Sequence, residues 1–378
     1  MLYGLRGLAL GLLVSLATSA FPAERVMSVW HLAPFWESDT MHGESLFFLE
    51  PEVDAPAIAP LLFTPLEVLS IVHPPTGTTY EEGRDYVIDT ENKRITLTKD
   101  SRIPFTTRKD FEPPIGGSGQ LYKDETRDIF FGAGPYFHNL QVEITYTHAS
   151  HAWAAMKGPQ PEATAHLPRT TAILQSGKPL ALCLLGDSIS TGLDASSTSN
   201  TAPHTPGYGT LVAHGLEEVF GSNVTFTNFS VSGMAAPWGV EQAPAVAAKK
   251  PDLVLIAFGM NDASSRRAPE TFRADIEAIM AGIHSAHPET EFLLVATMRG
   301  NPDWKHTAPE LYPQYRDALV TLEKPGVTVA DLTAFWTTLL KHKQFVDITG
   351  NGVNHPNDFG HRVYAQVILT RLGTSPTE

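Results

Sequence analysis

The chain has 378 residues and a formal net charge of −14 at pH 7, long enough for two domains of about 100–200 residues each. The acidic balance argues against a nucleic-acid backbone or an anionic membrane surface as the main partner. With Cys183 as its single cysteine the chain cannot form an intramolecular disulfide, so stability has to come from burial. Within its apolar run the thiol is expected to be buried and inert.

Residues 1–20 carry an early Arg6, an apolar run over 8–16 and then Ala17, Thr18, Ser19 and Ala20. This is the layout of a secretory signal peptide. Its apolar stretch is too short to span a bilayer, and no cysteine follows it that would take a lipid anchor. The expectation is a protein exported to a periplasm or out of the cell, with no membrane span.

Residues 27–150 hold short runs in which β-branched and aromatic residues alternate with polar ones, at 46–49, 68–72, 86–89, 94–98 and 141–146. Turn-forming stretches punctuate them. The pattern predicts a small antiparallel β-rich accessory domain, a sandwich. The glycine-rich stretch 113–119 lacks the flanking strand and helix of a phosphate cradle and is expected to be a loop. Residues 151–178, polar and proline-containing, are expected to link the two parts.

From 179 to 373 strands alternate with helical patterns. Residues 180–192 read as a buried strand ending in a polar loop, further strands are predicted at 224–229, 252–258, 291–297 and 327–331, and helices at 207–220, 269–286, 311–322 and 360–372. Such alternation predicts a parallel sheet with helices on both faces. Functional groups of these sheets collect just beyond the carboxyl ends of the strands. There the sequence places Gly186-Asp187-Ser188, Ser230-Val231-Ser232-Gly233 and Gly259-Met260-Asn261-Asp262, and Asn354-His355-Pro356 precedes the last helix.

A serine hydroxyl needs a neighbouring imidazole to take its proton before it can attack a carbonyl. Ser188 is the candidate nucleophile and His355 the candidate base. Charge that develops on the attacked oxygen must meet prearranged donors; the Ser188 and Gly233 N–H groups and the Asn261 side-chain amide can supply them. The alternatives are an ordinary helix cap at Ser188 and an ordinary strand end at Asn261. His361, at the start of the last helix, is expected to be a packing or exposed residue.

These four segments resemble the conserved blocks of the SGNH (GDSL-type) hydrolases over roughly residues 180–372. The resemblance implies a three-layer α/β/α flavodoxin-like domain, Ser188 as nucleophile, Gly233 and Asn261 as oxyanion donors and His355 as general base. It implies neither a metal nor an organic cofactor. One position departs from the pattern: the family carries an aspartate three residues before the histidine, and here that residue is Gly352. Asp347 can reach the imidazole if the intervening glycines fold back, and Asp358 lies beyond a proline. The expectation is a Ser188–His355 dyad whose imidazole is held by a backbone carbonyl or an asparagine oxygen.

The resulting functional expectation is an exported serine esterase acting on a small-molecule or glycan ester. Relatives with an added β domain make removal of O-acetyl groups from a carbohydrate the first candidate. A lipase or lysophospholipase acting on longer acyl chains is the second. A non-catalytic carbohydrate-binding protein on a degenerate hydrolase scaffold is the third, motivated by the missing aspartate.

Overall fold

A computed structural model of the chain describes residues 32–374 apart from 113–115, 117–119, 122–124 and 133. The expected signal peptide and most of the 113–119 loop therefore lie outside the described residues.

The N-terminal part is built from two small sheets and a two-stranded antiparallel ribbon, Gln120–Leu121 with Asp128–Ile129. In the first, Thr40–Phe47 (β1), Pro65–His73 (β2) and Gln141–His148 (β3) pair antiparallel in the order β1-β3-β2, with Thr78–Thr79 at the β2 edge. Alternation along β3 turns Val142, Ile144 and Tyr146 inward, where they are fully buried. The second sheet joins Leu49–Glu50, Ile58–Pro60, Tyr86–Asp89, Arg94–Leu97 and Thr106–Thr107.

The C-terminal part is a five-stranded parallel sheet. Leu180–Gly186 (β4) lies between Val224–Asn228 (β5) and Leu253–Ala257 (β6), and Glu291–Ala296 (β7) and Val327–Asp331 (β8) complete the order β5-β4-β6-β7-β8. Strands covered on both faces must be apolar throughout, and every residue of β6 and β7 is buried. The cover comes from Tyr208–Phe220 (α1), Ala236–Ala247 (α2), Pro269–Ala286 (α3), Leu311–Val320 (α4), Leu332–Leu339 (α5) and Asp358–Arg371 (α6), with α1 packed on α6 and α2 on α3. This is the flavodoxin-like three-layer fold. Its strand order reverses between β4 and β6, where such sheets bind their ligands. Cys183 sits buried in β4, and desolvation pushes its thiol up to about 11.

The two parts share a hydrophobic core. Phe35 packs edge-on against Trp153, Trp36 lies 4.7 Å from the ring of Phe335 on α5, and Trp153 stacks on Phe335 at 5.5 Å. Residues 151–178 are held as firmly as the elements they join. The helix Pro168–Gln175 donates its Arg169 and Thr170 N–H groups to the two carboxylate oxygens of Glu291, at 3.0 and 2.7 Å, so the first residue of β7 satisfies that helix's N-terminus. Because this core is continuous, Trp153→Ala is expected to cost about 3–5 kcal/mol. Calorimetry should show it as a lowered midpoint of a single transition, whereas independent units would melt in two.

Candidate active site

β4 ends at Gly186, where a side chain has no room: a Cβ would stand 2.3 Å from Ser190 Oγ and 2.5 Å from the Ala257 carbonyl. The chain then folds into a tight turn. Thr191 N–H donates to the Asp187 carbonyl at 3.0 Å, Leu193 N–H to the Ser188 carbonyl at 3.1 Å, and Thr191 Oγ1 to that same carbonyl at 2.7 Å. The Asp187 carboxylate lies beneath and accepts from Ile189 N–H at 2.9 Å. Burial pushes Asp187 up to about 7, and the neighbouring Asp262 charge adds to the effect. Asn228 at the end of β5 donates to the Ser190 carbonyl at 2.7 Å, and Ser190 Oγ shares a 2.7 Å bond with Tyr208 OH. Ser188 is therefore carried on a turn hydrogen-bonded from several sides.

The segment after β5 stays bonded to the end of β4, through Phe229 N–H to the Leu184 carbonyl (2.8 Å) and Val231 N–H to the Gly186 carbonyl (3.2 Å). This brings the turn containing Gly233 alongside the nucleophile turn. Gly233 has φ +82°, a conformation glycine adopts without strain. Asn261 Nδ2 donates to the Met234 carbonyl at 2.9 Å, which uses one of its two hydrogens. Asp262 ties the two turns together by accepting from Gly259 and Ala236 N–H, each at 3.1 Å. Its carboxyl is pushed up to about 6, chiefly by burial. Among the described residues, no protein acceptor takes the N–H of Ser188 or of Gly233.

His355 closes the arrangement. Ser188 Oγ–H donates to His355 Nε2 at 2.9 Å, and His355 Nδ1–H donates to Asp194 Oδ2 at 2.7 Å. The imidazole and the Asp194 carboxylate are both more than nine-tenths buried. A carboxylate facing Nδ1 makes that nitrogen the protonated one and leaves the Nε2 lone pair for the serine. The line Ser188–His355–Asp194 can thus move a proton off the hydroxyl and stabilise the imidazolium that results.

Asp194 is the residue that sequence reasoning missed. It lies six residues beyond Ser188, with φ +63°, a left-handed conformation that aspartate tolerates better than most residues. The two expected substitutes lie elsewhere. Asp347 accepts from Phe47 N–H at 2.8 Å and Gln344 N–H at 2.7 Å, so its carboxyl is committed to the N-terminal sheet and to its own turn. Burial pushes it up to about 6. Asp358 accepts from Ser196 N–H at 2.7 Å and braces the loop that carries Asp194.

The asparagine oxygen expected to hold the imidazole is also committed. Asn351 Oδ1 accepts the N–H groups of Val353, Asn354 and His355 at 2.9, 3.0 and 3.2 Å, which turns Asn351 Nδ2 toward His355 Nδ1, 2.8 Å away. At Gly352, where the family aspartate would stand, φ is +77° and a Cβ would lie 2.8 Å from Phe137 Cζ and 2.9 Å from the Phe130 carbonyl. The N-terminal region fills that place, and the carboxylate that meets the imidazole, Asp194, comes instead from the loop after Ser188.

Residues 184–363 match the model of the GDSL-like lipase/acylhydrolase family. The chain carries a GDSL-like hydrolase domain. Among solved structures, the chain is similar to a two-domain esterase (CEX) active on acetylated mannans, at 22% identity and a TM-score of 0.46 over 58% of this chain and 55% of that one. It thus spans little more than half the length of that structure. It is also similar to Axe2, an acetylxylan esterase from Geobacillus stearothermophilus, at 20% identity and a TM-score of 0.43 over 51% of this chain and 94% of that one. A third is the lipase Lip_vut3 from a goat rumen metagenome, at 17% identity and a TM-score of 0.43 over 51% of this chain and 97% of that one. A search of curated proteins returned no match. Among the described residues of this GDSL-like chain, no helix is long and apolar enough to cross a membrane, and no cluster of His, Cys, Asp and Glu is arranged to hold a metal ion.

His361 is buried beneath the site. It accepts from Tyr208 N–H at Nδ1, donates from Nε2 to the Leu193 carbonyl, each at 3.3 Å, and stacks on the Tyr208 ring. Burial lowers it from 6.5 to about 4. The unfolded chain takes up this proton near pH 6.5 and the folded one only near 4. The stabilisation from neutral His361 is therefore complete above pH 6.5 and is lost as pH falls toward 4. The buried aspartates titrate in the opposite sense but are common to wild type and variant. The gap in melting temperature between wild type and His361→Gln should accordingly narrow between pH 7 and pH 4.5 in thermal melts. A gap that stays constant would show that His361 is protonated equally in both states.

Proposed function

We propose that this protein is an exported serine esterase that works through an acyl-enzyme, with Ser188 as nucleophile, His355 as general base, Asp194 as the acid that orients the imidazole, and Ser188, Gly233 and Asn261 as oxyanion donors. The unbroken hydrogen-bonded line from Ser188 through His355 to Asp194, at 2.9 and 2.7 Å, carries the reading.

In the first half-reaction Ser188 Oγ attacks the ester carbonyl while His355 Nε2 takes its proton. The tetrahedral oxyanion accepts hydrogen bonds from the Ser188 and Gly233 N–H groups and from the remaining hydrogen of Asn261 Nδ2. Collapse breaks the ester C–O bond, and His355 returns the proton to the leaving alcohol. Water then enters, gives a proton to His355 and attacks the acyl-Ser188 carbonyl; collapse breaks the acyl C–Oγ bond, His355 returns the proton to Ser188 Oγ, and the acid leaves. Asp194 keeps Nδ1 protonated throughout and stabilises the imidazolium in both halves. With a carboxylate in place, the motive for a degenerate, non-catalytic scaffold disappears.

The substrate reading is a short acyl group on a bulky alcohol, with an O-acetylated carbohydrate first. Two features support it. The space under the Ser188 turn, bounded by Asp187, Ser190, Tyr208 and Tyr364, has no room even for a water molecule, so no long chain can run beneath the turn. Gly233, by contrast, lies exposed at the rim, where a large leaving group can extend over the surface. Export is supported by the charge and hydropathy layout of residues 1–20.

The test is hydrolysis of p-nitrophenyl esters of increasing chain length and of acetylated oligosaccharides. Acetate should be cleaved and long acyl chains should not, and Ser188→Ala should fall to background. A preference for long chains would favour the lipase reading, and no hydrolysis of any ester would remove the esterase reading. Asp194→Asn is expected to lower kcat by about 10⁴-fold, because the imidazole loses both its orientation and its counter-charge. Asn261→Ala should lower kcat by about 10²–10³-fold with little change in KM.

A further inference from the structure

The loop that presents His355 has almost no regular structure of its own. Between the end of α5 and the start of α6 its single element is the three-residue turn of 3₁₀ helix Phe345–Asp347. Its polar groups instead face the N-terminal sheet. Gln141, the first residue of β3, donates from Nε2 to both the Val346 and Thr349 carbonyls at 2.8 Å. Asp347 accepts Phe47 N–H from the end of β1, and Asn357 Nδ2 donates to Ser45 Oγ at 3.0 Å and to the Asp347 carbonyl at 2.9 Å. Lys343 Nζ reaches Glu44 Oε1 at 2.5 Å and the Pro60 carbonyl at 2.6 Å. Phe47, Phe137 and Val346 form the apolar side of the same seam.

From this we infer that the N-terminal β-sheet is a working part of the esterase site: Gln141, with Asp347 and Lys343, latches the His355 loop, and all three are positioning residues for the general base. The inference rests on the esterase reading for its kinetic consequence, but the latch itself does not. All three side chains are buried, and the partners they join are 200 to 300 positions apart in sequence. The turns of this loop bond within themselves around Asn351 and Asp347, but the Val346 and Thr349 carbonyls are taken by a donor from outside it, so where those turns sit depends on that outside partner. The Nε2 lone pair must stay within hydrogen-bond reach of Ser188 Oγ for proton transfer, and small displacements of a base are costly in rate. A loosened latch should therefore lower kcat while leaving ester binding, and hence KM, nearly unchanged.

Gln141→Met in the full chain keeps the bulk of the side chain and removes both donors. Its kcat on p-nitrophenyl acetate should fall by about 10- to 100-fold, with KM within about twofold, at a temperature where the variant is fully folded. Leu97→Ala, which loosens the same β region away from the loop, serves as control: its melting temperature should fall while its kcat holds. Hydrogen exchange across residues 344–357 gives a second readout independent of catalysis, and it should quicken in Gln141→Met and not in Leu97→Ala. Unchanged exchange in that segment, or an equal loss of kcat in the control, would overturn the latch. If wild type proves inactive on every ester, the functional reading falls and the exchange result alone decides the latch.

Discussion

The hydrogen bond from His355 Nδ1 to Asp194 Oδ2, 2.7 Å long between two buried groups, is the contact that gives the rest of the site its sense. Without it, Ser188 and His355 form a pair whose imidazole can turn or carry its proton on the wrong nitrogen. With it, the tautomer is set and the cation that appears on proton transfer has a counter-charge in a poorly screened interior. Several other local features follow from the need to bring Asp194 there. The left-handed backbone at Asp194 turns the chain back toward His355, Asp358 braces the same loop through Ser196 N–H, and Gly350 has no side chain because a Cβ would stand 2.6 Å from the Asp194 carbonyl.

Two further buried aspartates fix the turns: Asp187 accepts N–H groups of its own turn, and Asp262 joins the turn after β6 to the start of α2. Each exchanges water for backbone N–H groups and is pushed toward neutrality by burial, to about 7 and about 6. A carboxylate kept in such a place is unfavourable unless several donors converge on it. Here they are the orphan N–H groups of turns at the carboxyl ends of β4, β5 and β6. The acids thus pin the chain segments that carry Ser188, Gly233 and Asn261 from the buried side. That explains why an Asp follows the glycine of the first turn and ends the Gly259-Met260-Asn261-Asp262 run.

The parallel sheet was legible because strands buried on both faces write a continuous apolar run. The apolar run that opens the stretch 180–192 agrees with β4, the pattern at 327–331 with β8, and the helical pattern at 269–286 with α3. Among the helices that cover the sheet, α2 and α5 were not legible, nor was the helix Pro168–Gln175 in the stretch expected to be a linker. α2 contains Pro237 and Pro244, and its first proline falls in the opening turn, where a missing N–H costs nothing; α5 is only 8 residues long and follows β8 directly, so its short stripe of Leu332, Phe335, Trp336 and Leu339 merges with the apolar run of the strand. The four turns could be read because each combines glycine with polar residues at a strand end. Asp194 could not, since nothing in sequence order links it to a histidine 161 positions away. The seam with the N-terminal sheet was invisible for the same reason: its bonds join single residues across long separations and leave no periodic trace.

The absent aspartate at position 352 and the presence of the β region are one fact seen from two sides. Phe137 and the Phe130 carbonyl, both contributed by the N-terminal part, occupy the volume into which a side chain at 352 would project. The same part supplies the donors and acceptors that hold residues 343–357. Docking the sheet against this loop therefore closes the usual position for the acid and, in the same step, fixes the loop so firmly that an acid from another direction can serve. The loop that follows Ser188 supplies it instead, and Asp194 reaches Nδ1. On this view the N-terminal sheet is coupled to the chemistry through the loop it holds, and a chain that lost it would lack both the support for His355 and the reason for Gly352.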